Sequence, residues 1–256
     1  MHRLIPSNWQ RLPLALSILV AGYGLALLGG LVWADPIIAV DLRLADLLVS
    51  LRTVTLTHAF TALTLLGKSF VVLMFCVALV AVLLLWRKRG DLVTLAIVIV
   101  GSTTTSWLSK IAFQRPRPEQ AIYLESSYSF PSGHATIAVA FYGFVGYLLI
   151  RSASRRTQKI KRLGATLTLI IAIGLSRLYL GEHYLSDVLA GYLIGTLWLI
   201  IALASGQGLG RFTAFSTLPI LAPIPDRKGL TGLAIALALA GYLAIALTYQ
   251  MPLTGP

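Results

Sequence analysis

His183 and Asp187 lie four residues apart, so on a helix the imidazole and the carboxylate share one face, a turn from each other. A carboxylate there accepts one imidazole N–H, selects the tautomer and leaves the other ring nitrogen free for nucleophilic attack. His134 follows Pro131-Ser132-Gly133 at the head of an apolar run, where a titratable group can hand a proton to a leaving oxygen. Arg117 and Arg177 are permanent cations whose planar forks match phosphate oxygens, and Lys110 adds a point charge. Ser132 is placed to cap the helix it precedes. Gly133, without a Cβ, lets the N–H groups of that helix N-terminus approach an anion closely. These are complementary parts of phosphoryl-group chemistry.

Each part alone has a plainer reading. Basic residues at span ends snorkel to lipid headgroups, an HxxxD pair can be structural, and Pro-Ser-Gly can simply start a helix. Their common placement is what joins them, and that depends on the elements that carry them. Of the 256 residues, 57% are hydrophobic and 12% charged, with mean hydropathy +0.83, against about 25% charged in a soluble domain. Apolar runs of about 20 residues, enough to cross a ~30 Å hydrocarbon core, recur along the chain. They predict an all-α polytopic transmembrane bundle with seven spans, at 12–34, 63–86, 91–112, 133–150, 163–180, 184–205 and 229–249. Between the first two, Asp35–Ala62 mixes charged and apolar residues as an interfacial amphipathic helix does. The first run has a second reading as a signal peptide, since Val32-Trp33-Ala34 resembles a cleavage site, although its apolar stretch is long for that role. The single cysteine, Cys76, lies mid-span and reads as a packing residue.

The net charge of +12 is unevenly spread. With the N-terminus inside, the inner segments hold 14 Lys and Arg against 2 Asp and Glu, and the outer segments 7 against 7. Positive loops stay cytoplasmic, so anionic headgroups are a sufficient partner for the excess. No basic patch interleaved with aromatics is present, which argues against nucleic acid. In this topology Lys110, Arg117, Ser132, Gly133, His134, Arg177, His183 and Asp187 all fall on the outer side. No carboxylate cluster suits Mg²⁺, and no third His or Cys accompanies His134 and His183 for zinc, so neither metal nor cofactor is expected.

Lys110-x6-Arg117-Pro118, Pro131-Ser132-Gly133-His134 and Ser176-Arg177-x5-His183-x3-Asp187 resemble the three-part signature of the type 2 phosphatidic acid phosphatase (PAP2) superfamily. That superfamily includes membrane lipid phosphatases, glucose-6-phosphatase-like enzymes and soluble vanadium haloperoxidases. The resemblance covers about residues 60–205. It implies a six-span core fitting spans 1–6, a catalytic region at 63–205, an N-terminal span and interfacial segment at 1–62, and a C-terminal loop and extra span at 206–256.

It also implies a mechanism. His183 forms a phosphohistidine, Asp187 orients and polarises it, and His134 protonates the leaving group and then activates water. Lys110, Arg117, Arg177, Ser132 and the Gly133 N–H hold the phosphoryl oxygens, with Ser176, Pro118 and Pro131 supporting. Arg115 is a second possible phosphate contact outside the matched positions, and Glu182 reads as solvent-exposed. Tyr123, Tyr128, Tyr179 and Tyr184 flank the motifs, where interfacial belts also place tyrosine. The implied activity is metal-independent hydrolysis of a lipid phosphate or pyrophosphate at the outer face of a bacterial inner membrane. Undecaprenyl pyrophosphate comes first, then phosphatidylglycerol phosphate and phosphatidic acid. A phosphotransferase with the same intermediate and a non-catalytic lipid-phosphate binding or transport protein remain as alternatives; simple binding needs neither the His183–Asp187 pair nor His134.

Overall fold

The computed structural model describes residues 37–123, 125–212 and 226–249, with the isolated helical positions 22, 24, 26, 29, 30 and 32. The side chains of 206–212 are outside this description. The span expected at 12–34, and its reading as a signal peptide, fall almost wholly outside the described residues.

Among the described residues the chain runs through α1 (Ile38–Ser50), α2 (Val54–Leu65), α3 (Ser69–Leu85) and α4 (Arg89–Phe113). After a long loop come α5 (Gly133–Ser152), which winds as a π-helix over Ala138–Tyr142, α6 (Arg156–Tyr179), α7 (Leu185–Phe212) and α8 (Arg227–Thr248). Five helices are long and apolar enough to cross a membrane, and α2 with α3 makes a sixth candidate as one pair bent by 46°. The spans expected from 91 onward each fall on one of these. The span expected at 63–86 is corrected: its first residues belong to α2, and the helix restarts at Ser69 after Leu66-Gly67-Lys68. A hydropathy run does not register the break, because both sides of it are apolar. The segment Asp35–Ala62 holds all of α1 and most of α2 rather than one interfacial helix.

The core is built around α5, where Ala138, Phe141 and Phe144 meet Val72 of α3, Val98 of α4, Ile173 of α6 and Ala202 of α7. Lipid tails are as apolar as these side chains, so close packing, not escape from water, holds such helices together. The clearest case is Gly191-x3-Gly195 on α7. A Cβ on Gly191 would stand 2.6 Å from the Ser132 carbonyl oxygen, and one on Gly195 would stand 2.6 Å from that of Thr136. Two glycines thereby seat the first turn of α5 directly on α7. Ser132 N–H completes the junction by donating to the Asp187 carbonyl at 3.0 Å.

The C-termini of α4 and α6 and the N-termini of α5 and α7 all lie at one end, closed by the 114–132 loop and the 180–184 turn. These two connections are tied by Ile122 N–H to the Leu180 carbonyl at 3.0 Å. The helix α8 lies against α3. Trp86 Nε1 donates to Thr231 Oγ1 at 2.9 Å, and Tyr242 OH donates to the Ala62 carbonyl at 3.0 Å.

Candidate active site

His183 sits on the turn between α6 and α7, 3% exposed. Its Nδ1 faces Asp187 Oδ2 at 3.6 Å and Ser129 Oγ at 3.4 Å. On the opposite edge, Nε2 lies 3.4 Å from Arg117 Nη1. A proton on Nδ1 therefore leaves the Nε2 lone pair directed at the arginine side. Burial lowers the His183 pKa well below the usual imidazole range, reinforced by Arg177, Arg117 and Lys110. The ring is therefore neutral near pH 7 and has a lone pair to offer.

Asp187 is held as firmly as it holds. Its Oδ2 accepts from Ser129 Oγ and from Tyr184 N–H at 2.8 Å, and Oδ1 accepts from Arg115 at 2.7 Å. The same guanidinium reaches Asp41 of α1 at 2.8 Å and Ser186 Oγ at 2.7 Å. Asp41 in turn accepts from the Ser186 N–H at 3.0 Å. Burial works against the Arg115 charge, but Asp187 and Asp41 outweigh it and raise its pKa. A buried chain of charges thus joins helix α1 to Asp187, beside the imidazole.

Arg177 has no exposed surface. It donates to Thr64 Oγ1 at 2.8 Å and to Glu125 Oε1 at 3.1 Å, with Glu182 Oε2 at 3.6 Å. Arg117 donates to the Ser127 and Glu182 carbonyls, each at 2.8 Å, and pairs with Glu125 Oε2 at 2.8 Å. Glu125 thus bridges the two arginines. Burial alone would raise its pKa, but Arg177 and Arg117 prevail and keep it lowered. Glu182, also without exposed surface, accepts the Tyr123 N–H at 2.7 Å; its burial raises its pKa despite Arg177.

A cavity of about 660 Å³ opens over this cluster. One part is polar, lined by Lys68, Lys110, Arg117, Glu125, His134 and His183; the rest is apolar, bounded by Val72, Leu73, Cys76, Ile99 and Trp107 between α3 and α4. Among the described residues the buried side-chain atoms without a hydrogen-bond partner are Ser132 Oγ, His134 Nε2, Arg177 Nε, Glu182 Oε2 and one Arg52 nitrogen. Three of these belong to residues expected to meet the phosphate. Buried polar atoms are costly to leave unpaired, so a hydroxyl, an imidazole and a guanidinium in this state suit an incoming oxyanion.

The expected residues therefore converge, with corrections. Lys110, Arg117, Gly133, His134 and His183 line the cavity; Ser132, Arg177 and Asp187 lie buried at the same end. Lys110 Nζ donates to the Tyr128 carbonyl. Ser132 stands at the α5 N-cap, yet its hydroxyl makes no capping bond. Ser176 supports by bonding to the Ile173 carbonyl at 2.6 Å, and Pro118 and Pro131 are buried. Arg115 is a partner of Asp187, not a second cavity cation. Glu182 is buried because the loop supplies Tyr123 N–H and two arginines to it. Tyr123 and Tyr179 are buried as well. Sequence reasoning missed Glu125, Ser129, Asp41 and Thr64. A lone buried Asp in amphipathic α1 carried a weak signal; the others had none.

A helical membrane bundle with a buried imidazole, its carboxylate neighbour and clustered cations at one end has an arrangement suited to phosphoryl chemistry. Residues 91–211 match the model of the PAP2 superfamily. The chain is a membrane phosphatase similar to those of the PAP2 type. Phosphatidylglycerophosphatase B of Bacillus subtilis (strain 168) is 29% identical over 189 residues, covering 73% of this chain and 93% of that protein. The crystal structure of a transmembrane PAP2-type phosphatidylglycerolphosphate phosphatase from Bacillus subtilis superposes with a TM-score of 0.69 at 25% identity, covering 77% of this chain and 98% of the other. Aquifex aeolicus LpxE gives 0.52 at 26% identity, over 64% and 95%.

Proposed function

We propose that this membrane lipid phosphatase hydrolyses a phosphate or pyrophosphate carried on a long apolar chain, through a phosphohistidine on His183. The carrying observation is the cavity itself, whose polar part is continuous with an apolar flank between α3 and α4. A soluble ester gains nothing from that flank, whereas a lipid is held by its tail with its phosphate at the cations.

In the first step the Nε2 lone pair of His183 forms the N–P bond while the bond from phosphorus to the leaving oxygen breaks. His134, carrying a proton, gives it to that oxygen. Water then loses a proton to His134 as its oxygen attacks phosphorus, the N–P bond breaks and phosphate leaves. Asp187, 3.6 Å from Nδ1, stabilises the positive ring through its charge; Lys110, Arg117, Arg177, Ser132 and the Gly133 N–H take up charge on the equatorial oxygens. The side-chain cations do the neutralising that metal ions do elsewhere. Activity is therefore expected to persist in EDTA and to be inhibited by vanadate, which adopts the five-coordinate geometry.

Phosphatidylglycerol phosphate moves to the front as substrate, because the Bacillus subtilis sequence and the Bacillus subtilis structure are both named for it. Undecaprenyl pyrophosphate and phosphatidic acid follow. The test is phosphate release by purified protein from these three lipids and from a short-chain or sugar phosphate in one detergent. Equal or higher kcat/KM on the soluble ester would overturn the lipid reading.

The site is proposed to face away from the cytoplasm, since Arg87, Lys88, Arg89, Arg151 and Arg155 crowd the opposite end. Cysteines introduced near Ser126 should react with an impermeant thiol reagent in intact cells, and those at 153–155 should not. The reverse pattern would refute the orientation.

A further inference from the structure

The helix α8 lies outside residues 91–211, yet the residue after it holds a lysine that lines the cavity. Tyr249, directly after α8, accepts a hydrogen bond from Lys68 Nζ at 3.1 Å. The ammonium lies 5.3 Å from the centroid of the Tyr249 ring and 6.0 Å from that of Tyr123. The two rings meet edge to face with centroids 6.4 Å apart. Tyr123 is itself fixed, its hydroxyl 3.0 Å from Thr61 Oγ1 and its N–H on Glu182. Among the described residues no carboxylate forms a salt bridge with Lys68. Two phenol rings hold this cation, and the nearest carboxylate in the cavity, Glu125, is paired with Arg117 and Arg177.

Position gives the cation its meaning. Lys68 sits on the break between α2 and α3, which Tyr142 OH pins by donating to the Leu66 carbonyl at 2.7 Å. The preceding Gly67 packs so closely on His134 that a Cβ would lie 2.6 Å from its Cδ2. Lys68 therefore lines the cavity beside His134, whereas Arg117 stands beside the attacking nitrogen of His183. In the proposed reaction His134 protonates the leaving oxygen, so its neighbours face the leaving group. A diacylglycerol leaving group is neutral. One that retains a phosphate, as a lipid diphosphate or phosphatidylglycerol phosphate does, brings a negative charge to that wall.

We propose that Lys68, held by Tyr249 and Tyr123, is a second anion subsite for a phosphate retained on the leaving group, and that α8 contributes to substrate selection through it. The proposal rests on the phosphatase reading above and deepens it to lipids with two phosphates.

The test compares wild type with Lys68→Gln, Lys68→Arg and Tyr249→Phe full-length proteins on undecaprenyl pyrophosphate, phosphatidylglycerol phosphate and phosphatidic acid. In Lys68→Gln the ratio of kcat/KM for two-phosphate over one-phosphate lipids should fall about ten-fold, the usual worth of a charge-assisted contact. Lys68→Arg should retain most of the ratio, and Tyr249→Phe should lower it less than Lys68→Gln. A fall confined to one two-phosphate lipid would support the subsite and identify the spacing it accepts. An unchanged ratio, or equal loss on phosphatidic acid, would overturn it.

A binding measurement separates this from the phosphatase reading. In His183→Ala protein, inorganic pyrophosphate should raise Tm more than inorganic phosphate does, and adding Lys68→Gln should abolish the difference. Wild type inactive on every lipid would sink the proposed function; absence of the pyrophosphate preference would sink the subsite.

Discussion

The two ends of the bundle handle charge in opposite ways. At the far end Arg151 pairs with Asp91 through contacts of 2.6 and 3.0 Å, but the arginine side chain is 46% exposed. At the site end Asp41, Arg115, Arg177, Glu182 and Asp187 are all buried, and each is paired with an opposite charge. An exposed pair contributes about 0–1 kcal/mol, whereas several buried ions carry a desolvation cost that good geometry only roughly offsets. The far end's charge suits headgroups and topology. The site end keeps an arrangement that stability alone would not favour, which is the mark of chemistry.

The largest effect should follow from removing the nucleophile. His183→Ala should abolish phosphate release, and Asp187→Asn should reduce it severely with the fold intact. Fully active His183→Ala protein would end the phosphohistidine proposal. His134→Ala should cost about 10²- to 10⁴-fold in kcat, the range of general acid catalysis.

Arg115→Gln tests the buried network directly. It leaves Asp41 and Asp187 facing each other without their shared cation, a loss of about 3–5 kcal/mol for a broken buried pair. Both Tm and kcat should drop. Retention of both would make the site-end network as dispensable as a surface pair.

The pH profile gives a smaller, signed effect. The reactive imidazole is neutral, and its folded pKa is lowered, so the acid limb of kcat/KM should lie below the ordinary ~6.5. Arg117→Gln removes one cause of the lowering and should move that limb upward. The folded protein also binds fewer protons at His183 than the unfolded chain below pH ~6.5, so this group makes stability decrease as the pH is lowered through that range. A limb at or above the ordinary imidazole value would contradict the burial of His183.

The smallest effect belongs to the far end. Arg151→Gln should shift stability by less than about 1 kcal/mol, and less still in high salt, without changing kcat/KM. A loss comparable to Arg115→Gln would erase the contrast between the ends.

Much of this molecule is legible one residue at a time. Hydropathy over about 20 residues marks the spans from 91 onward, because lipid selects on composition along a continuous stretch. The three short motifs point to the candidate reacting groups, since side-chain chemistry is a local property. His183 and Asp187, however, do not share a helix face as their spacing suggests: His183 lies on the turn before α7, which begins at Leu185. The break at Leu66-Gly67-Lys68 is different: it depends on how closely Gly67 meets His134, a contact between residues far apart in the chain. The same holds for Asp41 reaching Asp187 through Arg115, for Glu125 bridging Arg117 and Arg177, and for Tyr249 reaching Lys68. Burial and ion pairing arise from whatever the fold brings alongside a residue. The sequence by itself therefore determined the spans from 91 onward and which side chains are candidates for the chemistry, because hydropathy and residue type are local, while only the tertiary structure decided which charges are buried, which are paired, and which remain for a substrate.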